Sequence, residues 1–198
     1  MKIEIRGDCV RIDGYVNAVE RESKVLHGAD GAFVEKIKAG AFQRALDRAK
    51  RTGYDVKVLL NHDYTRELTT TRDKDTAITE DNIGLRCKCE IRDAEVTEKA
   101  RSKHLSGWSF GFIPIKDEWK TEGDMRHREV RELELKEVSI LDNAHTPAYN
   151  GTSIEMRSDD LIELRMMDGK AEIVDLTETK QTRNYKYRNK ILATRASM

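Results

Sequence analysis

The chain has 198 residues, which is enough for one domain with a single hydrophobic core and a terminal extension. Its 36 basic residues balance its 36 acidic residues, so no excess of one charge attracts nucleic acid, and we expect no nucleic-acid partner. No apolar run has the length needed to cross a bilayer and no charged-then-apolar leader follows Met1, so we expect a soluble cytosolic protein without a membrane partner.

The first half of the chain alternates between strand and helix patterns. Residues 10–19 have the two-residue period of a half-buried strand. Residues 40–50 then carry an apolar stripe at helical spacing, and Gly53 ends that helix. The run VKVLLNHD at 56–63 predicts a strand that finishes in polar residues, and TTTR and TAIT predict two short strands. Between 20 and 39 we predict a loop rich in glycine and charge.

The second half predicts more strands and one helix. DNIG is a turn before the strand LRCKCEI, and Asp93 is the expected N-cap of a helix that runs to about residue 104. Strands follow at 108–115 and 133–142, joined by a charged stretch at 116–131 that has no apolar period and reads as a solvated hairpin or flap.

The apolar pattern weakens after about residue 158. We therefore predict a main domain at 1–157 and a C-terminal tail at 158–198, in which LIELRMM forms one short helix. The remainder of the tail has the composition of a mobile segment or of one that orders on binding a partner.

The cysteines do not predict a metal site or a disulfide. Cys87 and Cys89 face the same side of one strand, which leaves Cys9 without a partner, so all three are expected to be reduced. No histidine pair accompanies the C-x-C spacing, and thiols that point into an apolar core are poor nucleophiles. We predict no metal and no cofactor.

The run GWSFGF at 107–112 contains a candidate nucleophile. On a strand, Trp108, Phe110 and Phe112 point into the core, whereas Ser109 and Gly111 point to the other face. That face is expected to be small and open, which suits a hydroxyl that a substrate backbone approaches. The competing interpretation is an ordinary exposed serine on a strand.

His62 is the histidine best situated to act as its base. It ends the apolar strand VKVLLNH, whereas His27, His104 and His127 lie in loops or on charged faces, and His145 lies in a turn. A surface histidine that terminates a strand is the alternative.

Glu137 lies in the run LKEVSIL, where alternation puts it on the apolar face with Leu133, Leu135, Ser139 and Leu141. A carboxylate on such a stripe has a partner. That partner is either an arginine in a structural ion pair or the candidate histidine, which the carboxylate would orient.

Six runs, in order, resemble the signature blocks of the prohead (capsid maturation) proteases of tailed bacteriophages: GYVNAVERES, FVEKIKAGAF, VLLNHD, EDNIGLRCKCEI, GWSFGF and LKEVSILDNAHTPAYN. The resemblance extends from about Val10 to Asn150. That family is similar to the herpesvirus assemblins, which are serine proteases, so the resemblance implies a mainly β fold with flanking helices, of the α+β class. It implies a closed or partly open β-barrel of the assemblin type.

The resemblance also implies residue roles. The histidine of the N-H-D block is His62 and the serine of the S-F-G-F block is Ser109. The third member of the assemblin triad is a histidine before a V-A-L segment, a position that Glu137 occupies here, with Asp63 and His145 as alternatives.

The loop after that strand would supply the backbone N–H that stabilises the tetrahedral oxygen. By resemblance this oxyanion loop comprises Asn143, Ala144, His145 and Thr146. The usual sequence motif of the family has a proline near the position of Asn143, and this chain lacks it.

The implied function is a serine endopeptidase packaged inside the immature phage shell, in the host cytoplasm. It would cleave the scaffolding segment and the N-terminal segments of the major capsid protein, and finally itself, with the tail as a packaging tether or self-cleavage target. Self-association is possible for such a protein. A non-enzymatic capsid-assembly or scaffold-fusion module, with Ser109 and His62 far apart, is the rival hypothesis.

Overall fold

The computed structural model describes residues 1–28, 30–143, 154–157, 160–167 and 171–177. Two helices occur there, α1 (Ala41–Thr52) and α2 (Ala94–Arg101). The strands are β1 (Lys2–Arg6), β2 (Cys9–Ala18), β3 (Leu26–Gly28), β4 (Gly31–Ile37), β5 (Lys57–Leu60), β6 (Glu67–Thr70), β7 (Thr76–Glu80), β8 (Gly84–Ile91), β9 (Leu105–Glu122), β10 (Met125–Asp142), β11 (Ile154–Arg157), β12 (Asp160–Met167) and β13 (Glu172–Asp175).

The strands form two sheets. The first has the order β13-β1-β2-β8-β7, and the second has the order β11-β12-β9-β10-β4-β3, with β5 paired to β10 and β6 paired to β5. The α+β class is therefore confirmed. Neither sheet closes on itself over the described residues, so the expected barrel is not shown.

The predicted hairpin at 116–131 is confirmed, because it is the distal part of the β9–β10 pair. Both strands have 18 residues and pair from Leu105 with Asp142 to Glu122 with Met125. Gly123 makes the turn in the left-handed conformation, at φ 60°. The other end of this hairpin carries the GWSFGF and LKEVSIL runs, which therefore lie side by side.

Helix α1 fills a gap at the edge of β10. Strands β4 and β5 pair with β10 over residues 126–130 and 137–140, so between these ranges the carbonyl groups on that side of β10 have no strand partner, while β9 pairs with the other side. Side chains from the helix and its C-terminal loop supply the donors: Arg44 to Arg131 O, Arg48 to Leu133 O and Tyr54 to Lys136 O. The predicted helix is confirmed, with Gly53 as its C-cap at φ 72°.

The core face of β9 carries Trp108, Phe110 and Phe112, all fully or almost fully buried, as the alternation predicts. Phe42 of α1 packs edge-on against Phe110 with ring centroids 5.4 Å apart. The three cysteines are buried and free. Burial, reinforced by the Glu90 carboxylate, raises the pKa of Cys9 to about 11, so this thiol is protonated at neutral pH.

Two sequence expectations differ from the structure. The segment predicted as a loop contains the β3–β4 hairpin, in which Phe33, Glu35 and Ile37 face inward. The predicted helix LIELRMM is wrong, because residues 160–167 form β12, an antiparallel neighbour of β9. Strand β13 also lies within the predicted tail and pairs in parallel with β1.

Neither a membrane-spanning helix nor a metal-binding group occurs among the described residues. No helix there is long and apolar enough to span a membrane. Within the same residues no three His, Cys, Asp or Glu side chains form a group that could hold a metal ion.

Candidate active site

A β-bulge at Lys136 determines which way Glu137 points. Leu135 pairs with Phe112 and Glu137 pairs with the next residue of β9, Gly111, so Lys136 is the extra residue on β10. Leu133 and Leu135 before the bulge, and Val138 and Ile140 after it, all belong to the core. The prediction that Glu137 shares the leucine face is therefore wrong: the bulge reverses the alternation and turns Glu137 to the opposite face of the sheet.

The Glu137 carboxylate is fully buried and has two partners. Its Oε1 lies 2.9 Å from His62 Nδ1, and its Oε2 accepts a hydrogen bond of 2.6 Å from Ser139 Oγ. Among the described residues no arginine contacts it, so the alternative of a structural ion pair with an arginine is not observed. The carboxylate lies over Gly111, where a Cβ atom would come within 2.6 Å of Oε1.

His62 lies in the turn that follows β5, and three hydrogen bonds hold this turn to β10. The backbone N–H of Asn61 donates to Ile140 O, and Asn61 Oδ1 accepts from the backbone N–H of Asp142. The backbone N–H of His62 donates to Ser139 Oγ. Asn61 and His62 both adopt the left-handed conformation, at φ 53° and 60°, which aims the imidazole back at Glu137.

An ionised Glu137 carboxylate would select one tautomer of His62, because the hydrogen-bond roles at this contact depend on which ring nitrogen carries the proton. An ionised carboxylate only accepts hydrogen bonds, so Nδ1 carries the proton and donates it. Nε2 of the neutral ring is then an unprotonated acceptor, which is the form that a general base requires. The side chain of His62 is 14% exposed, so the imidazole is mostly buried but remains accessible to solvent.

Ser109 lies on the same face of the sheet as Glu137 and Ser139. In the register, Ser109 is opposite Ser139 of β10 and opposite Met166 of β12. It is fully buried, so both expectations from the sequence, an open face and an exposed serine, are wrong: β12 pairs along this stretch of β9. Its Oγ donates 2.9 Å to the carbonyl of Arg165 and does not hydrogen-bond His62 in this conformation.

Strand β12 is fixed in that position by a buried cluster of charges. Glu163 and Arg165 of β12 lie on the opposite face of the sheet from Ser109. They form ion pairs of 2.5–3.0 Å with Arg128 of β10 and Glu35 of β4. All four side chains are at most 7% exposed. Asp117 adds a fifth charge at 2.7 Å from Arg128.

The other candidate residues have different surroundings. Asp63 Oδ1 accepts hydrogen bonds from the backbone and hydroxyl of Thr65, as in a turn. Of the predicted oxyanion loop, only Asn143 is described, and its backbone N–H donates 2.8 Å to His104 O. Ala144, His145 and Thr146 lie outside the described residues.

Sequence reasoning missed three residues that shape this site: Asn61, Gly111 and Ser139. The alternation of β9 predicts only that Gly111 lies on an open face, whereas in the structure it makes room for the Glu137 carboxylate. A signal for Ser139 was present, because a hydroxyl two residues after Glu137 must share its face.

Comparisons with known proteins identify the family of the chain. Among the curated proteins and the solved structures, no match to the chain is found. The model of the family described as caudovirus prohead serine protease matches residues 1–166, from before β1 into β12. This match covers most of the chain and confirms the resemblance and the enzyme class expected from the six sequence runs. The chain therefore belongs to the caudovirus prohead serine proteases, and it is a serine peptidase.

Proposed function

We propose that this peptidase uses Ser109 as nucleophile, His62 as general base and Glu137 as the group that orients His62. The observation that carries the proposal is the contact of 2.9 Å between His62 Nδ1 and the buried Glu137 carboxylate. A buried carboxylate is stable when it is paired, and pairing with an imidazole leaves Nε2 ready to take a proton. Ser109 supports the assignment because it is on the same face, on the adjacent strand.

The reaction requires that Ser109 first become accessible, because its side chain is fully buried in this conformation and β12 pairs along this stretch of β9. Movement of β12 would release the Ser109 Oγ from the Arg165 carbonyl, and a rotation about the side-chain bond would then turn Oγ toward His62 Nε2. As Oγ bonds to the peptide carbonyl carbon, its proton passes to Nε2, and Glu137 stabilises the imidazolium. The imidazolium then protonates the leaving amine as the C–N bond breaks, and water hydrolyses the acyl-enzyme by the same route.

The loop at 143–146 is the proposed source of the oxyanion donor. The backbone N–H of Asn143 already donates to His104 O, so the donor would come from Ala144, His145 or Thr146. This assignment rests on the family resemblance and on the position of the loop directly after β10.

The proposed substrates are the scaffolding segment and N-terminal segments of the major capsid protein, cut inside the prohead in the host cytoplasm. Self-cleavage in the C-terminal segment and self-association belong to the same proposal, as does an assemblin-type barrel. Family membership supports these assignments, since a prohead protease acts together with capsid proteins.

Co-expression with the capsid protein of the same phage tests the proposal. The wild type is expected to shorten the capsid protein and to generate new termini of its own, which mass spectrometry maps. Ser109→Ala is expected to fold and to abolish both events. Ser106→Ala is the matched control, because Ser106 is a half-buried serine of the same strand that donates to Leu141 O. Normal processing by Ser109→Ala would end the proposal.

A further inference from the structure

Ser139 makes two hydrogen bonds that tie the site together. It lies on β10 between Ser109 of β9 and Leu59 of β5, and it is fully buried. Its Oγ donates 2.6 Å to Glu137 Oε2 and accepts 3.1 Å from the backbone N–H of His62. One hydroxyl therefore contacts both members of the His62–Glu137 pair.

We propose that Ser139 is a positioning residue of the peptidase, which holds the Glu137 carboxylate and the His62 backbone in the geometry of the 2.9 Å contact. The catalytic consequence rests on the proposed function, whereas the positioning itself rests on the contacts alone.

The direction of the two hydrogen bonds explains why a hydroxyl is needed. The ionised carboxylate requires a donor for Oε2, and the His62 amide requires an acceptor. A hydroxyl provides both from one atom, which suits the short side chain on a strand between two neighbours. Alanine provides neither, so its introduction leaves a charged oxygen and an amide N–H without these partners.

The effect of that loss is expected at the imidazole. Among the described residues Ser139 is the one hydrogen-bond donor to Oε2, so without it the carboxylate is free to turn about its last side-chain bond. His62 is in the left-handed conformation, which the remaining contacts of Asn61 then have to maintain. Either change lengthens the Nδ1–Oε1 contact and allows the imidazole to rotate. Nε2 is then no longer held in one orientation.

Two measurements test the proposal, one of which does not depend on activity. Proton NMR of ¹⁵N-labelled protein detects the His62 Nδ1–H resonance, which a charge-assisted hydrogen bond to a carboxylate moves to low field. Its assignment is confirmed by its loss in His62→Gln. The second measurement is the rate of Ser109 phosphonylation by a fluorophosphonate, which forms an O–P bond at Oγ and releases fluoride. Saturation kinetics separate the maximal rate from the binding constant of the probe.

Four proteins are compared: wild type, Ser139→Ala, Ser139→Thr, which keeps the hydroxyl, and Thr97→Val. Thr97 is the control because it is a buried hydroxyl on α2, where it donates to Asp93 O. In Ser139→Ala the low-field resonance is expected to be lost, and the maximal labelling rate to fall by up to about a hundredfold with an unchanged binding constant. Ser139→Thr is expected to restore both, and Thr97→Val to alter neither. Thermal unfolding of each variant shows that it is folded.

The outcomes separate the two proposals. A wild-type resonance and labelling rate in folded Ser139→Ala would overturn the positioning role. Failure of Ser139→Thr to recover the resonance would also count against it, provided that the Thr97→Val spectrum is normal. If Ser139→Ala does not fold, Ser139→Cys, which keeps the side-chain shape with a weaker donor, replaces it. If the wild type is not labelled but its resonance depends on Ser139 as expected, the positioning role stands and the proposed function fails.

Discussion

Gly111→Ala is predicted to disable the peptidase while leaving it folded. The new methyl group would lie 2.6 Å from Glu137 Oε1 and 3.2 Å from side-chain atoms of Ile162 and Leu164. Gly111 does not have a positive φ, so alanine adds no backbone strain, and the effect comes from crowding alone.

The size of the effect follows from the distances. Ordinary van der Waals contact begins at 3.4 Å, so the Glu137 carboxylate or the backbone must move by about 0.8 Å. The contact between Oε1 and His62 Nδ1 is 2.9 Å, so a shift of this size in the wrong direction exceeds hydrogen-bond range. A misplacement of about 1 Å costs about a hundredfold in rate, whereas overpacking costs about 1–3 kcal/mol of stability.

The assay is the maximal rate of Ser109 phosphonylation, together with urea unfolding. Gly28→Ala is the control, since its methyl group would meet the Phe33 ring at 3.3 Å and the Gly31 carbonyl oxygen at 3.9 Å, both in the β3–β4 hairpin. In the Glu137→Ala background the carboxylate is absent, and Gly111→Ala is expected to add no further loss of rate. A full hundredfold loss in that background would refute the reasoning, as would a wild-type rate for Gly111→Ala alone.

Three further predictions concern the site and its supports. Glu137→Gln is expected to lower kcat by about 10⁴-fold, while Asp63→Asn changes it less than about tenfold; the reverse order would assign the orienting role to Asp63. Burial would raise the pKa of Glu163, but the hydrogen bond from Arg128 and the two arginine charges outweigh it and lower the pKa below its ordinary value of 4.5. The ionised Glu163 therefore stabilises the fold above about pH 4.5, and this contribution is lost as the pH falls through the lowered pKa. Glu163→Gln should lower the free energy of unfolding in urea by about 3–5 kcal/mol at neutral pH. If the difference in unfolding free energy between wild type and variant does not shrink in acid, this prediction is wrong. Tyr54→Phe removes the donor to the bulged carbonyl and should cost about 1–3 kcal/mol, and an unchanged unfolding midpoint would show that the bulge does not need it.

The sequence predicts the elements that local patterns define. Residues 41–52 form a helix because their apolar side chains recur at helical spacing, and Gly53 ends it. The inward-facing Cys87 and Cys89 and the inward-facing aromatic rings of GWSFGF follow from strict alternation. The expected N-cap is also found, since the Asp93 side chain accepts from the backbone N–H of Val96.

The sequence cannot predict features that depend on pairing between distant strands. The bulge at Lys136 has no local signature, and without it Glu137 is assigned to the wrong face. The burial of Ser109 depends on β12, which lies more than fifty residues later in the chain. In β12, Glu163 and Arg165 alternate with apolar residues. From the sequence alone such charged residues are predicted to be exposed to solvent, because their partners on β4 and β10 are known only from the fold.

The contact between His62 and Glu137 is partly predictable from the sequence. The strand end and the carboxylate are both visible in the sequence, and the family resemblance relates them. The 2.9 Å geometry, however, depends on the left-handed turn at Asn61 and His62 and on the Ser139 hydroxyl, which only the folded structure reveals.

The proposed peptidase depends above all on activation of Ser109 by His62. This activation is measured by the site and rate of fluorophosphonate labelling in wild type and in His62→Gln, with tandem mass spectrometry to locate the adduct. One adduct is expected, on Ser109 of the wild type, with a loss of labelling in His62→Gln while the protein remains folded. An adduct on a different residue, or equal labelling of Ser109 in the two proteins, would show that His62 does not activate Ser109.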